Sequence, residues 1–393
     1  MVPPILLEWP DTAKGLRAVM SPVRRGFVVL DTGTSSTSLL QMSSYMTFVI
    51  CGVAGIMPRR AGTGGESEDM DVVSERQLMS RAAWLYYLGG LTQEEVSARL
   101  GVTRARVNKL LQQARAEGVV SVTIDHRELG LLPTEEALAR AFKLDLCICT
   151  PPLGLPEGGT EGALAEFPRR AVGAAAARFL RERLAERPDL VIGTGWGRTL
   201  EQMTLHVAGL SAPLARFVSL MGSLTANSAF NPFEVVQALA RSTGGQGWFL
   251  PVPFIADSPA DKEILMSQRT VAEALRLARG ADLALVSVGE LTERSLLRRS
   301  EMISSRELEE LRRSGAVGDT NGIFFNAEGH PVSHGLNVRT LAVGFDDLRR
   351  SFTVLLAAGA EKEEATLALL RSGLAKGLIV DGDTAIRLVR RVT

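Results

Sequence analysis

The chain has 393 residues, 46% of them hydrophobic, and its 44 Lys and Arg are balanced by 44 Asp and Glu. That length points to two or three domains with ample buried core. Neutrality argues against a protein coated in nucleic acid, and leaves room for a small DNA-reading module on a larger sensor. Three cysteines, Cys51, Cys147 and Cys149, make no disulfide framework, and the four histidines (His126, His206, His330, His334) show no zinc spacing with them. No metal and no cofactor is therefore expected, and the inventory suits a reducing cytoplasm.

Residues 1–69 differ from the rest of the chain. They are rich in Ser, Thr, Gly and Pro, and no charge occurs between Asp31 and Arg59. Within that gap TFVICGVAGIM (47–57) is apolar, but polar residues dilute the longer run, and the fully apolar part is nearer a core segment than a membrane span. The apolar part also begins too far along the chain for a signal peptide. The expectation is a segment that is disordered or not part of the working protein, with the true start at Met70. A membrane tether through residues 39–57 is the alternative.

From Ser74 to Leu88, Leu78, Ala82, Leu85 and Leu88 share one side of an expected helix that Gly89 and Gly90 end. LTQEEVSARLGVTRARVNKLL (91–111) then reads as a helix-turn-helix. Val96, Leu100, Val102, Val107 and Leu110 give one shared apolar face, Gly101 makes the turn, and small Ser97 lets the helices approach. Thr92 and Glu95 form a capping box, and Thr103 caps the second helix. The outward positions Thr103, Arg104, Ala105, Arg106, Asn108 and Lys109 suit phosphates and base edges of double-stranded operator DNA. From Glu75 to Arg127 there are eight Lys and Arg against five Asp and Glu. So small an excess implies that tight binding needs more than one copy of the module. The second helix is expected to stop at Gly118, VVSVTI (119–124) to form a short strand or wing, and residues 125–133 to be linker. Residues 70–127 make up this expected DNA-binding domain.

Across 128–393 strand and helix patterns alternate. Strands are expected at 144–150, 190–192, 217–221, 282–288, 352–357 and 378–380, with extended segments at 248–252 and 323–326. Helices are expected at 167–186, after Gly197 to about Val207, at 231–241, 270–279, from the Ser304–Glu307 capping box to Ser314, and at 362–372 and 383–391. This repetition predicts a mostly parallel α/β sheet, whose ligands bind at the C-terminal ends of strands.

The segment Gly193, Thr194, Gly195, Trp196, Gly197, Arg198 and Thr199 sits at such an end and opens a helix. Its glycines let a ligand approach the backbone, the helix N-terminus favours an anion, and hydroxyl and guanidinium donors stand beside it. It lacks the Gly-Lys-Ser/Thr of a Walker A loop and the spacing of a dinucleotide fingerprint. Gly222 and Ser223 follow another strand. Asp319 is placed to accept from sugar hydroxyls. Lys362, a cation at a helix start, opposes the local dipole and makes sense beside an anion. A turn aspartate and a solvated lysine are the bland alternatives.

The segments at 81–124, 192–200, NPFEVVQALA (231–240), PVPFIADSP (251–259), ADLALVSVGEL (281–291), GAVGDTNGIFFNAEGHPV (315–332) and 357–385 together resemble the SorC (SorC/DeoR-group) family of bacterial transcriptional regulators. The resemblance runs from about Met70 to the C-terminus, in the family's order. It implies a helix-turn-helix joined to a Rossmann-like effector domain similar to glucosamine-6-phosphate deaminase and ribose-5-phosphate isomerase. It further implies a homo-oligomer, dimer or tetramer, that answers to a sugar, sugar alcohol or sugar phosphate at Gly193–Thr199, Gly222, Ser223, Asp319 and Lys362. The chain departs from the family pattern at Gly359-Ala360 and Gly222-Ser223, where glycine pairs are usual. A tetritol or pentitol is as well supported here as a sugar phosphate. The competing reading is an isomerase- or deaminase-like enzyme. It needs a carboxylate base at the substrate carbon, and the glycine loop contains no carboxylate pair. No catalytic residue is assigned.

Overall fold

The computed structural model describes residues 66–117, 119–120, 131–154, 166–207, 209–223 and 231–392, with a two-stranded antiparallel pair, Arg17–Ala18 and Leu30–Asp31. The chain divides into two compact units, Met1–Val72 and Val73–Thr393. The apolar run at 47–57, most of the expected wing and most of the expected linker lie outside the described residues. Among the described residues no helix is long and apolar enough to cross a membrane.

Helix α1 spans Glu66–Ala83 and runs into a π-helical turn at Trp84–Leu88. The expected helix over 74–88 is thus longer at its start and changes form at its end. Helices α2 (Gln93–Leu100) and α3 (Arg104–Ala116) come next. Thr92 and Glu95 make the complete capping box, and Gly101 closes α2 at φ 66°, a left-handed conformation glycine adopts without strain. Met79, Ala82, Val96, Val107, Leu110, Leu111 and Ala114 form one small core. The three helices therefore hold together through the apolar spacing seen in the sequence.

Helix α4 (Leu132–Phe142) occupies a stretch expected in part to be linker. Pro133 falls in its first turn, whose N–H groups have no intrahelical partner, so proline is well suited there. The next strands are β1 (Leu146–Cys149), β2 (Val191–Thr194), β3 (Arg216–Ser219), β4 (Gln246–Trp248) and β5 (Leu283–Ser287). Between them run α5 (Phe167–Glu186), α6 (Arg198–Leu205), α7 (Pro232–Thr243), α8 (Pro259–Ser267) and α9 (Arg269–Arg279). Strand β4 ends where the expected segment 248–252 begins, because Pro251 and Pro253 have no N–H for a ladder. Helix α8 was not expected; it buries none of its residues and so leaves no apolar stripe to read.

A smaller layer comes after these: β6 (Gly289–Glu290), α10 (Leu296–Arg299), α11 (Ser305–Arg313), β7 (Ala316–Thr320), β8 (Ile323–Asn326) and α12 (Gly335–Arg339). The chain ends with α13 (Phe345–Arg350), β9 (Phe352–Ala357), α14 (Glu363–Arg371), β10 (Gly377–Val380) and α15 (Gly382–Arg390).

Seven strands form one parallel sheet in the order β1-β10-β9-β5-β2-β3-β4. Its central strands are buried along almost their whole length because helices cover both faces. One core is built on Val172, Leu180, Leu200, Met203 and Val235, the other on Leu138, Val271, Leu275, Leu369 and Leu388. From β2 the chain steps outward to β3 and β4. It then returns to the other side of β2 for β5, and continues away through β9 and β10. The direction reverses between β2 and β5, which opens a crevice at their C-terminal ends.

The three-stranded antiparallel sheet β8-β7-β6 and its helices enclose a third core of Phe254, Leu297, Leu308, Phe324 and Leu336. Trp196 of the glycine loop belongs to that core, so the loop joins the small layer to the large sheet. The β7–β8 hairpin turns at Asn321 and Gly322, with φ of 51° and 69°. Positive φ at both positions is the backbone of a type I′ turn, for which Asn-Gly is the preferred pair.

Candidate functional site

The crevice between β2 and β5 is a cleft lined by Trp196, Gly197 and Arg198 from the glycine loop, Ser287 to Glu290 from the end of β5 and β6, Ser295 to Leu297, Asp319 and Lys362. The glycine loop is held by short bonds. The Gly195 N–H donates to the Leu285 carbonyl at 3.0 Å, and the Ser287 hydroxyl donates to the Trp196 carbonyl at 2.6 Å. Gly197 lies at φ 121°, and a Cβ there would stand 2.8 Å from Ser287 Oγ. Glycine is required at this position by both backbone conformation and space.

Asp319 is fully enclosed. Its Oδ2 accepts from the Gly322 N–H at 3.2 Å, and its Oδ1 would be 1.9 Å from a Cβ on Gly289. The bare backbone of Gly289 is thus what admits the carboxylate. Burial pushes the Asp319 carboxyl up to about 7, the Gly322 N–H opposes this, and Glu290 adds to it. Lys362 sits in the tight turn before α14, 7% exposed. Burial lowers its affinity for a proton, while Glu290 favours its charge. The anion that this lysine called for includes the protein's own carboxylates. Arg198 is also drawn down by burial and by Arg169. Glu166 lies 3.6 Å from Arg198 and 3.1 Å from Arg169, and Arg169 reaches Glu361 at 2.6 Å. Two cationic groups, Arg198 and Lys362, therefore face two carboxyl groups, Asp319 and Glu290, in one cleft.

The structure brings Trp196, Gly197, Arg198, Asp319 and Lys362 together as expected. Thr194 and Thr199 belong to the loop but are wholly buried, and neither hydroxyl has a hydrogen-bond partner among the described residues. Gly193 and Gly195 are also interior. A Cβ on Gly193 would meet Leu220, and one on Gly195 would meet the Asn321 amide at 2.6 Å. Gly222 and Ser223 are not among the lining residues. They join β3 to the chain around Val252 and Leu341 through backbone hydrogen bonds, and a Cβ on Gly222 would stand 2.3 Å from the Pro253 carbonyl oxygen.

Sequence reasoning missed Ser287, Gly289 and Glu290, although the rule that ligands bind at strand ends applied to β5 as well as β2. It also missed Asn321. That side chain is 2% exposed, and neither amide atom has a hydrogen-bond partner among the described residues. A buried amide left unpaired costs roughly 1–3 kcal/mol.

The Asp319 shift has a pH signature. A carboxyl whose folded-state pKa is raised binds its proton more tightly in the native state than in the unfolded one. Its contribution to stability is full below the unfolded value of 3.8 and is lost as pH rises through about 7. Asp319→Asn should therefore gain stability relative to the parent between about pH 4 and pH 7, and the gap should stay level above that. Chemical denaturation of both proteins across that range measures it; parallel curves would refute the shift.

On the output side, the N-cap Thr103 and, on α3, Arg104, Ala105, Arg106, Asn108 and Lys109 are all exposed. The Thr103 hydroxyl accepts the Arg106 N–H at 3.2 Å and fixes the first turn.

A helix-turn-helix and an α/β domain with a polar cleft at its switch point define a ligand-responsive DNA-binding protein. Known proteins carry this further. A family profile described as a sugar-binding domain matches residues 126–390, and one for sigma-70 region 4 matches 75–117. The erythritol catabolism regulatory protein EryD of Brucella abortus is 37% identical over 316 residues, covering 80% of this chain and 97% of that protein. The transcriptional regulator LsrR of Klebsiella pneumoniae is 30% identical over 319 residues, covering 80% of this chain and 93% of the relative. The full-length sorbitol operon regulator SorC of Klebsiella pneumoniae shares the fold with a TM-score of 0.58 at 21% identity, over 80% of this chain and 99% of that one. A DeoR family regulator from Listeria monocytogenes gives 0.59 at 22%, over 65% and 98%. The chain belongs to the SorC/DeoR-type family of sugar-binding transcriptional regulators. Its relatives are regulators of transcription, not enzymes, and the isomerase alternative is set aside on that ground.

Proposed function

We propose that this chain regulates a carbohydrate- or polyol-catabolic operon, and that its effector is an uncharged polyol or sugar held between Arg198, Asp319, Glu290 and Lys362. The observation that carries the choice of effector is the balance of groups in the cleft. Two carboxyls and two cations offer alternating acceptors and donors, which hydroxyl groups satisfy in both senses. A phosphate dianion would lie against the Glu290 carboxylate, and against Asp319 once that group ionises above about pH 7, and like charges brought together are costly. The Brucella relative is a regulatory protein of erythritol catabolism, which agrees with a short polyol. Gly193 to Thr199 form the effector loop in this reading. Gly222 and Ser223 support the cleft from behind.

Melting of the full chain with erythritol, ribitol and their phosphates tests this. A free polyol at about 100 times its Kd should add roughly 2.7 kcal/mol of stability. Stabilisation by the phosphates alone would reverse the assignment.

Operator DNA is contacted by Thr103 to Arg106, Asn108 and Lys109 of α3, with the helix N-terminus toward base edges. The module's small excess of positive charge supports a homodimer or tetramer as the binding species. Light scattering of the complex measures this directly, and a monomer bound tightly to a single half-site would overturn it.

A further inference from the structure

Arg106 occupies the third position of α3, in the turn from which base-reading residues of a helix-turn-helix project. Its guanidinium is engaged in the free protein. Nη2 lies 3.1 Å from Oε1 of Glu75, a residue of α1. Arg104 and Lys109 on the same exposed surface have no such carboxylate among the described residues. The two paired side chains are about half exposed, 47% and 46%. An ion pair in that setting changes the folding equilibrium by a few-fold at most. The fold therefore has little need of it. A carboxylate beside the recognition helix also weakens attraction to phosphates, so a module with so small a positive excess loses non-specific affinity by keeping it.

The pair does restrict where the arginine points. An unrestrained arginine on this surface has many rotamers and can follow any phosphate. Held through one N–H of Nη2, the guanidinium keeps its plane and leaves the rest of its donor fork free. Guanine offers O6 and N7 in the major groove, and a bidentate arginine is the commonest specific contact to them. The arginine that is restrained is the one whose own backbone is pinned by Thr103.

We propose that Glu75 is a positioning residue for sequence recognition. Its carboxylate orients Arg106 for a guanine and penalises binding to other sequences. The inference rests on the proposed reading of α3 as the DNA-reading helix.

The test uses the full chain as wild type, Glu75→Gln and Arg106→Ala. Each is equilibrated with a randomised duplex library, and the bound fraction is sequenced. Anisotropy titrations then compare the duplex enriched by wild type with a scrambled one. Glu75 is exposed, so Glu75→Gln should melt with the parent. It should weaken the guanine preference at the position where Arg106→Ala loses it. Its affinity for scrambled duplex should rise, and the ratio of enriched to scrambled affinity should fall by about two- to fivefold, the range a surface pair of this kind can supply. If wild type enriches a motif and Glu75→Gln enriches the same motif at the same ratio, the role of Glu75 is refuted while the DNA-reading assignment stands. If wild type enriches no motif, the DNA-reading assignment falls and takes this inference with it.

Discussion

Lys362→Met should abolish the response to effector and leave DNA binding intact. Lys362 is nearly enclosed, and it lines the same cleft as Glu290 and Asp319. Methionine keeps most of the side-chain volume, so the turn before α14 has no cavity to close. What is removed is the cation that a hydroxyl oxygen of the effector would meet. A hydrogen bond to a charged group is worth roughly 1.5–3 kcal/mol, or about 10- to 150-fold in effector affinity. The helix-turn-helix keeps its own core of Met79, Val96, Val107 and Leu110, and no residue of that core is altered. Calorimetric titration with polyol and anisotropy on DNA separate the two functions. Effector binding at parental affinity would remove Lys362 from the site.

The second large effect is expected from Arg104→Ala combined with Arg106→Ala. Each arginine that contacts a base or phosphate is worth roughly 1–3 kcal/mol, and the pair should bring operator affinity close to the non-specific level. Both side chains are exposed, and the Glu75 pair is a surface one, so the melting temperature should hardly change. Polyol binding in the cleft should persist. Retained operator affinity in this variant would mean that α3 is not the reading helix.

Both predictions trace to features with local signatures. The helix-turn-helix was legible because caps, apolar spacing and a turn glycine are written within 21 residues, and the capping box of Thr92 and Glu95 forms in full. The glycine loop was legible because a strand, three spaced glycines and a helix start adjoin in sequence. Asp319 and Lys362 could be singled out as polar residues at element ends, and the fold brings both into the cleft.

What was not legible depended on strand order. Glu290 sits beside Asp319 because β6 pairs with β7, and that pairing leaves no mark on VSVGEL itself. The enzyme alternative was weighed on the absence of a carboxylate pair within the glycine loop, whereas a pair of carboxyls is assembled from β6 and β7. It is therefore relatives such as EryD and LsrR, which are regulators, that speak against catalysis. The hairpin at Asn321 and Gly322 did carry a local signal, an Asn-Gly pair just before the apolar Ile323 to Phe325, and it went unused. Helices α8, α12 and α13 are short and bury few side chains, so periodicity had little to report.

The central claim is that a polyol in the cleft at Arg198, Asp319, Glu290 and Lys362 sets the DNA affinity of α3. The most direct measurement is anisotropy of a labelled duplex, enriched from a random library by the full chain, during titration with erythritol and ribitol. For the wild type we predict a change in DNA affinity of about fivefold or more, in the range typical of coupled sites, and none for Lys362→Met. An equal response in both proteins, or a wild type that binds DNA with the same affinity at every concentration of sugar and polyol, would contradict it.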